Sequence, residues 1–325
     1  MKGETMTNTM TEKETMKAVQ IHAFGGPDVL QFEDVPRPEP KPNQVLVRVH
    51  AAGVNPVDWK IREGYLKTPL PMIMGIDFSG VVESVGNAVT RFRVGDEVFG
   101  QVADESGSYA EYAVAVESDI ARKPKELTDV AAAALPVAGL TPWQALFDTA
   151  KLAAGQKVLI HGAAGGVGTF AVQFAKWKGA RVIGTASGAH VEQVRLLGAD
   201  EVIDYRKTKF EEAARDVDVV LDTIGGDTQD RSWKVLKRGG VIVSLVQPPS
   251  PEKAAAQGAR GFFLRQKSNG EQLATIADLV ASGKVKVNVE TVLPLRDARQ
   301  AQDLSQKGHS GGKIVLEARV DRAVG

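Results

Sequence analysis

The sequence predicts an α/β chain of two parts, one β-rich and one a helix-covered parallel sheet. Three observations predict it. Residues 16–135 hold short strand-like runs punctuated by Gly and Pro. From about residue 136, strand-like and helical stretches alternate, the signature of βαβ units. A glycine-dense loop, Gly162-Ala163-Ala164-Gly165-Gly166-Val167-Gly168, joins one such strand to one such helix. The length of 325 residues also suits two domains, because single cores stop growing at roughly 250–300 residues.

The elements follow in order. Residues 1–15 are polar and rich in Thr, Glu and Met, and are expected to form a disordered leader, with a second Met at position 16. They lack the apolar stretch of a signal peptide. Met16–His22 reads as a strand, broken by Gly25, Gly26 and Pro27. Pro36–Pro42 holds four prolines in seven residues and predicts an extended loop. Val45–Ala51 alternates apolar and polar residues, as a half-buried strand does. Gly80–Val85, Val94–Phe99 and Tyr109–Val116 are further strands, which suggests a compact barrel or sandwich.

The central part alternates. Strands are predicted at Lys157–His161, Arg181–Ala186, Glu201–Ile203, Val217–Leu221 and Gly240–Val246. Helices are predicted at Gly166–Lys178, His190–Leu197, Phe210–Arg215, Arg231–Leu236 and Gly270–Ala281. The first of these helices places Val167, Phe170, Ala171, Phe174 and Ala175 on one face. The tail adds strands at Val289–Leu293 and Lys313–Glu317 around a helix at Arg296–Lys307, and is expected to return to the β-rich part.

Composition narrows the function. Lys plus Arg and Asp plus Glu both total 40, so no basic excess marks a nucleic-acid or membrane-surface binder. No apolar run is long enough to span a bilayer. The chain has no cysteine, which excludes disulfides, thiolate zinc sites, iron–sulfur clusters and a Cys nucleophile. A cytoplasmic protein acting on a small molecule is the expectation.

The glycine loop carries the chemistry. Glycines let the backbone turn tightly and approach a pyrophosphate, and the following helix offers its free N–H groups. Gly165, Gly166 and Val167 are the predicted contacts. Enzymes that use NAD usually place Asp or Glu at the end of the second strand, to bond the ribose 2′-hydroxyl. This chain has Ser187 there, followed by Gly188, with His190 beyond. No carboxylate stands near Ser187 in the sequence, so NADPH is the predicted cofactor.

These segments, with Ala51-Ala52-Gly53-Val54-Asn55-Pro56-Val57-Asp58-Trp59-Lys60, Gly75-Ile76-Asp77-Phe78-Ser79-Gly80, Val94-Gly95-Asp96-Glu97-Val98, Leu197-Gly198-Ala199-Asp200 and Gly311-Gly312-Lys313-Ile314-Val315, resemble the medium-chain dehydrogenase/reductase superfamily. More narrowly they resemble its zinc-free quinone oxidoreductase and enone (alkenal) reductase branch. The resemblance implies a GroES-like catalytic domain from residues 16–138 and 288–325, and a Rossmann NADP-binding domain from residues 139–287. It also implies a cleft between them and a homodimer or homotetramer. Zinc-dependent members have a Cys where this chain has Asn55 and a His where it has Ile76, so no metal is expected. Without that Lewis acid the implied chemistry is hydride transfer to a quinone or to the C=C bond of an α,β-unsaturated carbonyl.

The resemblance places Asn55 beside the nicotinamide and substrate, and Lys60 and Tyr65 on a substrate-facing loop. Asp58 is read as structural. Thr141 is read either as a nicotinamide contact or as a helix N-cap with Pro142 at the first helical position. Tyr205 resembles an adenosine-side contact. Asp222 ends a strand, where ligands bind such sheets. Val246, Phe263 and Leu264 are expected to set backbone groups against the carboxamide. His190 stands where many relatives have Lys or Arg, which implies a looser or more pH-dependent grip on NADPH. A carbonyl reductase of ketones or aldehydes, and a non-catalytic NADPH-binding sensor or structural protein, remain as alternatives.

Overall fold

The computed structural model describes residues 14–308 and 311–318. The leader expected over residues 1–15 falls mostly outside them. Its described end is ordered: Thr15 starts the first strand, and Arg37 pairs with Glu14 at 2.7 Å.

The first part holds β1 (Thr15–Ile21), β2 (Leu30–Pro36), β3 (Gln44–Val54), β4 (Met72–Ile73), β5 (Asp77–Val85), β6 (Glu97–Gln101), β7 (Tyr112–Val116) and β8 (Ile120–Arg122). The central part holds β9 (Lys157–Ile160), β10 (Arg181–Ala186), β11 (Glu201–Asp204), β12 (Val217–Asp222), β13 (Leu236–Ser244) and β14 (Arg260–Phe263). β15 (Val289–Pro294) and β16 (Lys313–Glu317) close the chain. The helices are α1 (Pro56–Arg62), α2 (Asp129–Ala133), α3 (Pro136–Trp143), α4 (Gly166–Trp177), α5 (Val191–Leu196), α6 (Phe210–Ala213), α7 (Gly226–Ser232), α8 (Pro251–Gln257), α9 (Gly270–Ala281) and α10 (Ala298–Lys307).

β15 and β16 join the first part's main sheet, in the order β15-β16-β3-β5-β6-β8, with β7 also on β3. The chain's tail therefore does return to the β-rich domain. β3 is the spine of this sheet. Its 11 residues are nearly all buried, as befits a strand covered on both faces. A second, three-stranded sheet runs β2-β1-β4.

The central strands are all parallel, in the order β11-β10-β9-β12-β13-β14. Counted from β9, this is the doubly wound Rossmann order 3-2-1-4-5-6, with its reversal between β9 and β12. Val158, Ile160, Val219, Leu221 and Val243 face one buried cluster. Leu159, Ile183, Val220 and Ile242 face another on the opposite side of the sheet.

Several elements differ from the sequence expectation. The helix expected at Arg231–Leu236 lies earlier, at Gly226–Ser232, and Leu236 already belongs to β13. Tertiary pairing decides this, because Leu236 pairs with Val217 of β12 and so belongs to the sheet. β6 starts at Glu97 rather than Val94. β2, β14, α1 and α8 are additional. Thr141 does not open a helix: α3 begins at Pro136, so Pro142 sits inside it and a wider π-type turn, Gln144–Thr149, follows. Pro142 has no N–H for the usual bond one turn back. Thr141 bonds back to the Val137 carbonyl at 2.6 Å, so the N-cap reading is overturned.

Candidate active site

The site grows from sheet register. β16 pairs antiparallel with β3, matching Ile314 to Val54, so the next rung sets Lys313 beside Asn55. β5 pairs with the other edge of β3, matching Asp77 to Gly53. Three residues more than 200 positions apart at the extremes thus converge at the end of one strand. Gly75 makes the approach feasible. Its φ is +91°, and a Cβ there would lie 2.2 Å from the Tyr109 ring.

Asn55 is almost fully buried and every bond to it is directional. Its Oδ1 accepts from Lys313 Nζ at 2.6 Å. Its Nδ2 donates to Asp77 Oδ2 at 2.9 Å. Its backbone N–H donates to Asp58 Oδ2 at 2.8 Å, so Asp58 caps the start of α1. The Tyr109 hydroxyl donates to the same Asp58 oxygen at 2.8 Å. Lys313 Nζ also donates to the Val54 carbonyl at 2.8 Å. The Asp77 carboxylate accepts from Val137 N–H at 3.1 Å, in the first turn of α3, which tethers the element carrying Thr141.

Two carboxylates and one ammonium are fully buried together. Burial pushes Asp58 up to about 7, against the bonds from Asn55 and Tyr109. Burial also pushes Asp77 up to about 6, against the pull of Lys313. The same burial pushes Lys313 down, while both carboxylates hold it up. Asp58 Oδ1 has no partner.

The nucleotide side lies at the carboxyl ends of the parallel strands. Gly162–Gly168 follows β9, and Ser187 follows β10. Tyr205 follows β11, Asp222 ends β12, Val246 lies just past β13, and Phe263 and Leu264 lie at the end of β14. This is the crevice where doubly wound sheets take ligands. Gly165 precedes α4 with no side-chain cap, so the first-turn N–H groups of Gly166 and Val167 remain for a ligand. A Cβ at Gly168 would lie 2.1 Å from the Gly162 carbonyl oxygen, so only glycine lets the loop fold this closely. Tyr205, Ile224, Val246 and Phe263 are exposed apolar side chains on this rim. The loop and rim fit a dinucleotide.

His161 anchors the loop from below. Its Nε2 faces Ser232 Oγ at 2.9 Å, and that hydroxyl already donates to the Thr228 carbonyl. Its Nδ1 faces Thr185 Oγ1 at 3.2 Å. These partners call for the neutral Nε2–H form. Burial pushes its pKa down to about 4.

Asp222 is fully buried and spends its oxygens inside the protein. Oδ1 accepts from Ile224 N–H at 3.0 Å and Gly225 N–H at 2.8 Å. Oδ2 accepts from Gln229 at 3.0 Å and Ser244 at 2.8 Å. What it offers the crevice is the loop it shapes. Ser187 is buried, and His190 is half-buried with Nδ1 3.1 Å from Gln193 Oε1. One expectation is corrected here. A carboxylate does stand near Ser187, supplied by the neighbouring strand: Asp204 Oδ2 lies 3.2 Å from where a Cβ on Gly188 would sit.

Lys60 and Tyr65 are gathered around Trp59 rather than bonded to Asn55. Lys60 Nζ is 5.6 Å from the Trp59 ring, and Tyr65 meets that ring edge-on at 6.2 Å. Tyr65 is 72% exposed. Sequence reasoning missed Lys313 and gave Asp77 no role. The signal was present in the Gly311–Val315 and Gly75–Asp77 segments, but only sheet register joins them.

A crevice over a glycine loop, facing a buried amide held by charged groups from a second domain, defines a dinucleotide-dependent oxidoreductase architecture. The comparisons place it further. Residues 41–125 match the alcohol dehydrogenase GroES-like domain, and residues 197–316 match the zinc-binding dehydrogenase model. The chain is 39% identical to the chloroplastic NADPH-dependent alkenal/one oxidoreductase of Arabidopsis thaliana, covering 93% of this chain and 79% of that protein. It is 36% identical to the quinone oxidoreductase of Sus scrofa, covering 94% and 99%. Among solved structures, the Coxiella burnetii quinone oxidoreductase superposes with a TM-score of 0.89 at 39% identity, covering 94% and 100%. The Escherichia coli quinone oxidoreductase complexed with NADPH superposes at 0.85 with 30% identity, covering 93% and 99%. The chain belongs to the medium-chain dehydrogenase/reductase superfamily, among its quinone oxidoreductases and alkenal/one reductases.

Proposed function

We propose that the protein is an NADPH-dependent, zinc-independent reductase of quinones or of the C=C bond of α,β-unsaturated carbonyls. One observation carries the reading. The glycine loop and the buried amide cluster meet, because a Cβ on Gly166 would lie 3.0 Å from the Lys313 side chain whose ammonium holds Asn55. The names of the relatives support the cofactor and the substrate class.

NADPH, when bound, supplies the hydride. The protein's own residues do the rest. Gly166 and Val167 offer backbone N–H groups to the pyrophosphate, while the expected Gly165 N–H contact is spent on the Gly162 carbonyl at 3.0 Å and shapes the loop; Ser187, His190 and Tyr205 surround the adenosine end. Thr141, Val246, Phe263 and Leu264 border the nicotinamide end. The Asn55 amide spends one hydrogen on Asp77 and keeps one to face the negative charge that develops on a substrate oxygen. Lys60 and Tyr65 guard the outer rim. The zinc-independent reading rests on the cysteine-free sequence, on Ile76, and on the commitment of Asn55 to Lys313 and Asp77. A homodimer or homotetramer in the cytoplasm completes the proposal. The four exposed residues of the edge strand β14 support the assembly, and size-exclusion chromatography tests it.

The activity test is loss of NADPH absorbance with 1,4-benzoquinone, 2-cyclohexenone and cyclohexanone in parallel, with NADH and a chelator as comparisons. Turnover of the first two, untouched by the chelator, is expected. Inhibition by the chelator, or binding of NADPH without any turnover, sinks the reading.

A further inference from the structure

An amide side chain has two faces that differ only by a flip, one accepting and one donating. Asn55 is held in a single flip by opposite charges. An ammonium has donors only, so Lys313 must face Oδ1, and it does at 2.6 Å. An ionised carboxylate has acceptors only, so Asp77 must face Nδ2, and it does at 2.9 Å. Removing the ammonium leaves Oδ1 without its donor and also removes the pull that keeps the buried Asp77 ionised; a protonated Asp77 can donate to Oδ1, so the amide can turn.

The same lysine is tied to the nucleotide side. A Cβ on Gly166 would lie 3.0 Å from Lys313 Cδ and 3.7 Å from its Cγ, so the stem runs beneath the start of α4. Its backbone N–H donates to the Asn288 carbonyl at 2.8 Å. Two residues earlier, the Gly311 carbonyl accepts from Gln193 of α5 and from the Asn288 side chain. A Cβ on Gly311 would lie 3.1 Å from His190 Cε1. The short run Gly311–Lys313 therefore touches the nucleotide domain at α4 and α5 and ends on Asn55.

We propose that Lys313 is a positioning residue for the reaction, fixing the flip of the Asn55 amide and tying that orientation to the dinucleotide loop. The inference rests on the reading of Asn55 as the group that faces the substrate oxygen. Lys313 touches neither substrate nor cofactor with its charge, since its ammonium is spent on Val54 and Asn55. Its effect belongs in kcat, not in cofactor affinity.

Two variants of the full chain test this: Lys313→Met, and the charge-balanced pair Lys313→Met with Asp77→Asn. The double variant removes one positive and one negative charge, so the buried cluster keeps its net charge. NADPH affinity by fluorescence titration, kcat and KM with 2-cyclohexenone or 1,4-benzoquinone, and melting temperature are read for each. The expected result is a kcat loss of about tenfold or more in both variants, with NADPH affinity within about threefold and the melting temperature regained in the double variant. If the double variant regains kcat together with stability, Lys313 is a counter-ion only and the proposal fails. It fails equally if Lys313→Met leaves kcat unchanged, or weakens NADPH binding while sparing kcat. If neither variant folds, the cation serves the fold and the positioning role is overturned. Should the wild-type enzyme bind NADPH yet reduce none of the probes, both the functional reading and this inference fall, which separates that result from failure of the inference alone.

Discussion

Gly168 shows how little room the nucleotide loop leaves. A Cβ there would meet the Gly162 carbonyl oxygen at 2.1 Å, and backbone cannot step aside as a flexible side chain can. Gly168→Ala is expected to weaken NADPH binding roughly tenfold or more, about 1.4 kcal/mol, and to lower the melting temperature. Titration of the quenching of protein fluorescence measures the first. Asp204 makes a different point. Its carboxylate borders Gly188 at the adenosine end, with Lys207 3.6 Å away. A negative charge there opposes a 2′-phosphate but not a ribose hydroxyl. Asp204→Asn keeps an oxygen for the Arg206 N–H, which now donates to Oδ1 at 3.1 Å. It is expected to tighten NADPH by about threefold in low salt and leave NADH unchanged, with the gain shrinking as salt rises. Equal gains for both cofactors would refute this account.

At the scale of elements, α1 matters most, because it begins at Asn55 and carries Asp58 and Lys60. Its far end is locked by Arg62, which is fully buried. The guanidinium donates to the Gly25 carbonyl at 3.1 Å, to Gln302 at 3.0 Å and to Gln306 at 2.7 Å, joining α1 to α10. Arg62→Leu strands these acceptors and is expected to cost on the order of 3 kcal/mol in urea unfolding. It is also expected to raise the substrate KM, because the rim residues Lys60 and Tyr65 follow the helix. α9 shows a simpler rule. Asn269 caps it by accepting from Gln272 N–H at 2.9 Å, and Asn269→Ala is expected to cost about 1 kcal/mol without changing kcat.

For the whole molecule, the buried titrating groups pull stability in opposite directions. Asp58 and Asp77 are held at about 7 and about 6, above the usual 3.8, so the folded state binds their protons more tightly than the unfolded chain. Their contribution is full below about pH 4 and is lost as pH rises through 6 to 7. His161 is held at about 4, below the usual 6.5, so the folded state resists its proton. Its contribution is full above 6.5 and is lost as pH falls toward 4. Asp58→Asn is therefore expected to remove a fall in stability that runs from about pH 4 to 7, amounting to roughly 2 kcal/mol between pH 5 and 8, and so to expose the opposing His161 rise below pH 6.5. His161→Gln is expected to soften the acid side alone. Urea midpoints across pH 4.5–8 read both, and a flat wild-type profile over this range with no change in either variant would contradict the assignment.

The sequence by itself determined the two-part α/β class, the parallel central sheet and the glycine loop between strand and helix, because these depend on periodicity and on glycines within a few residues of one another. The family resemblance of its segment singled out Asn55. Local spacing misplaced α3 and α7, since Pro142 lies inside the first instead of opening it, and the pairing of Leu236 with Val217 claims for the sheet the end expected of the second. Only the tertiary structure decided what surrounds Asn55. Lys313 reaches it across the β3–β16 register, Asp77 across the β3–β5 register, and Tyr109 through Asp58. Asp204 likewise nears Gly188 only because β11 lies beside β10. Such charges act over a few ångströms of space, and no pattern along the chain measures that distance.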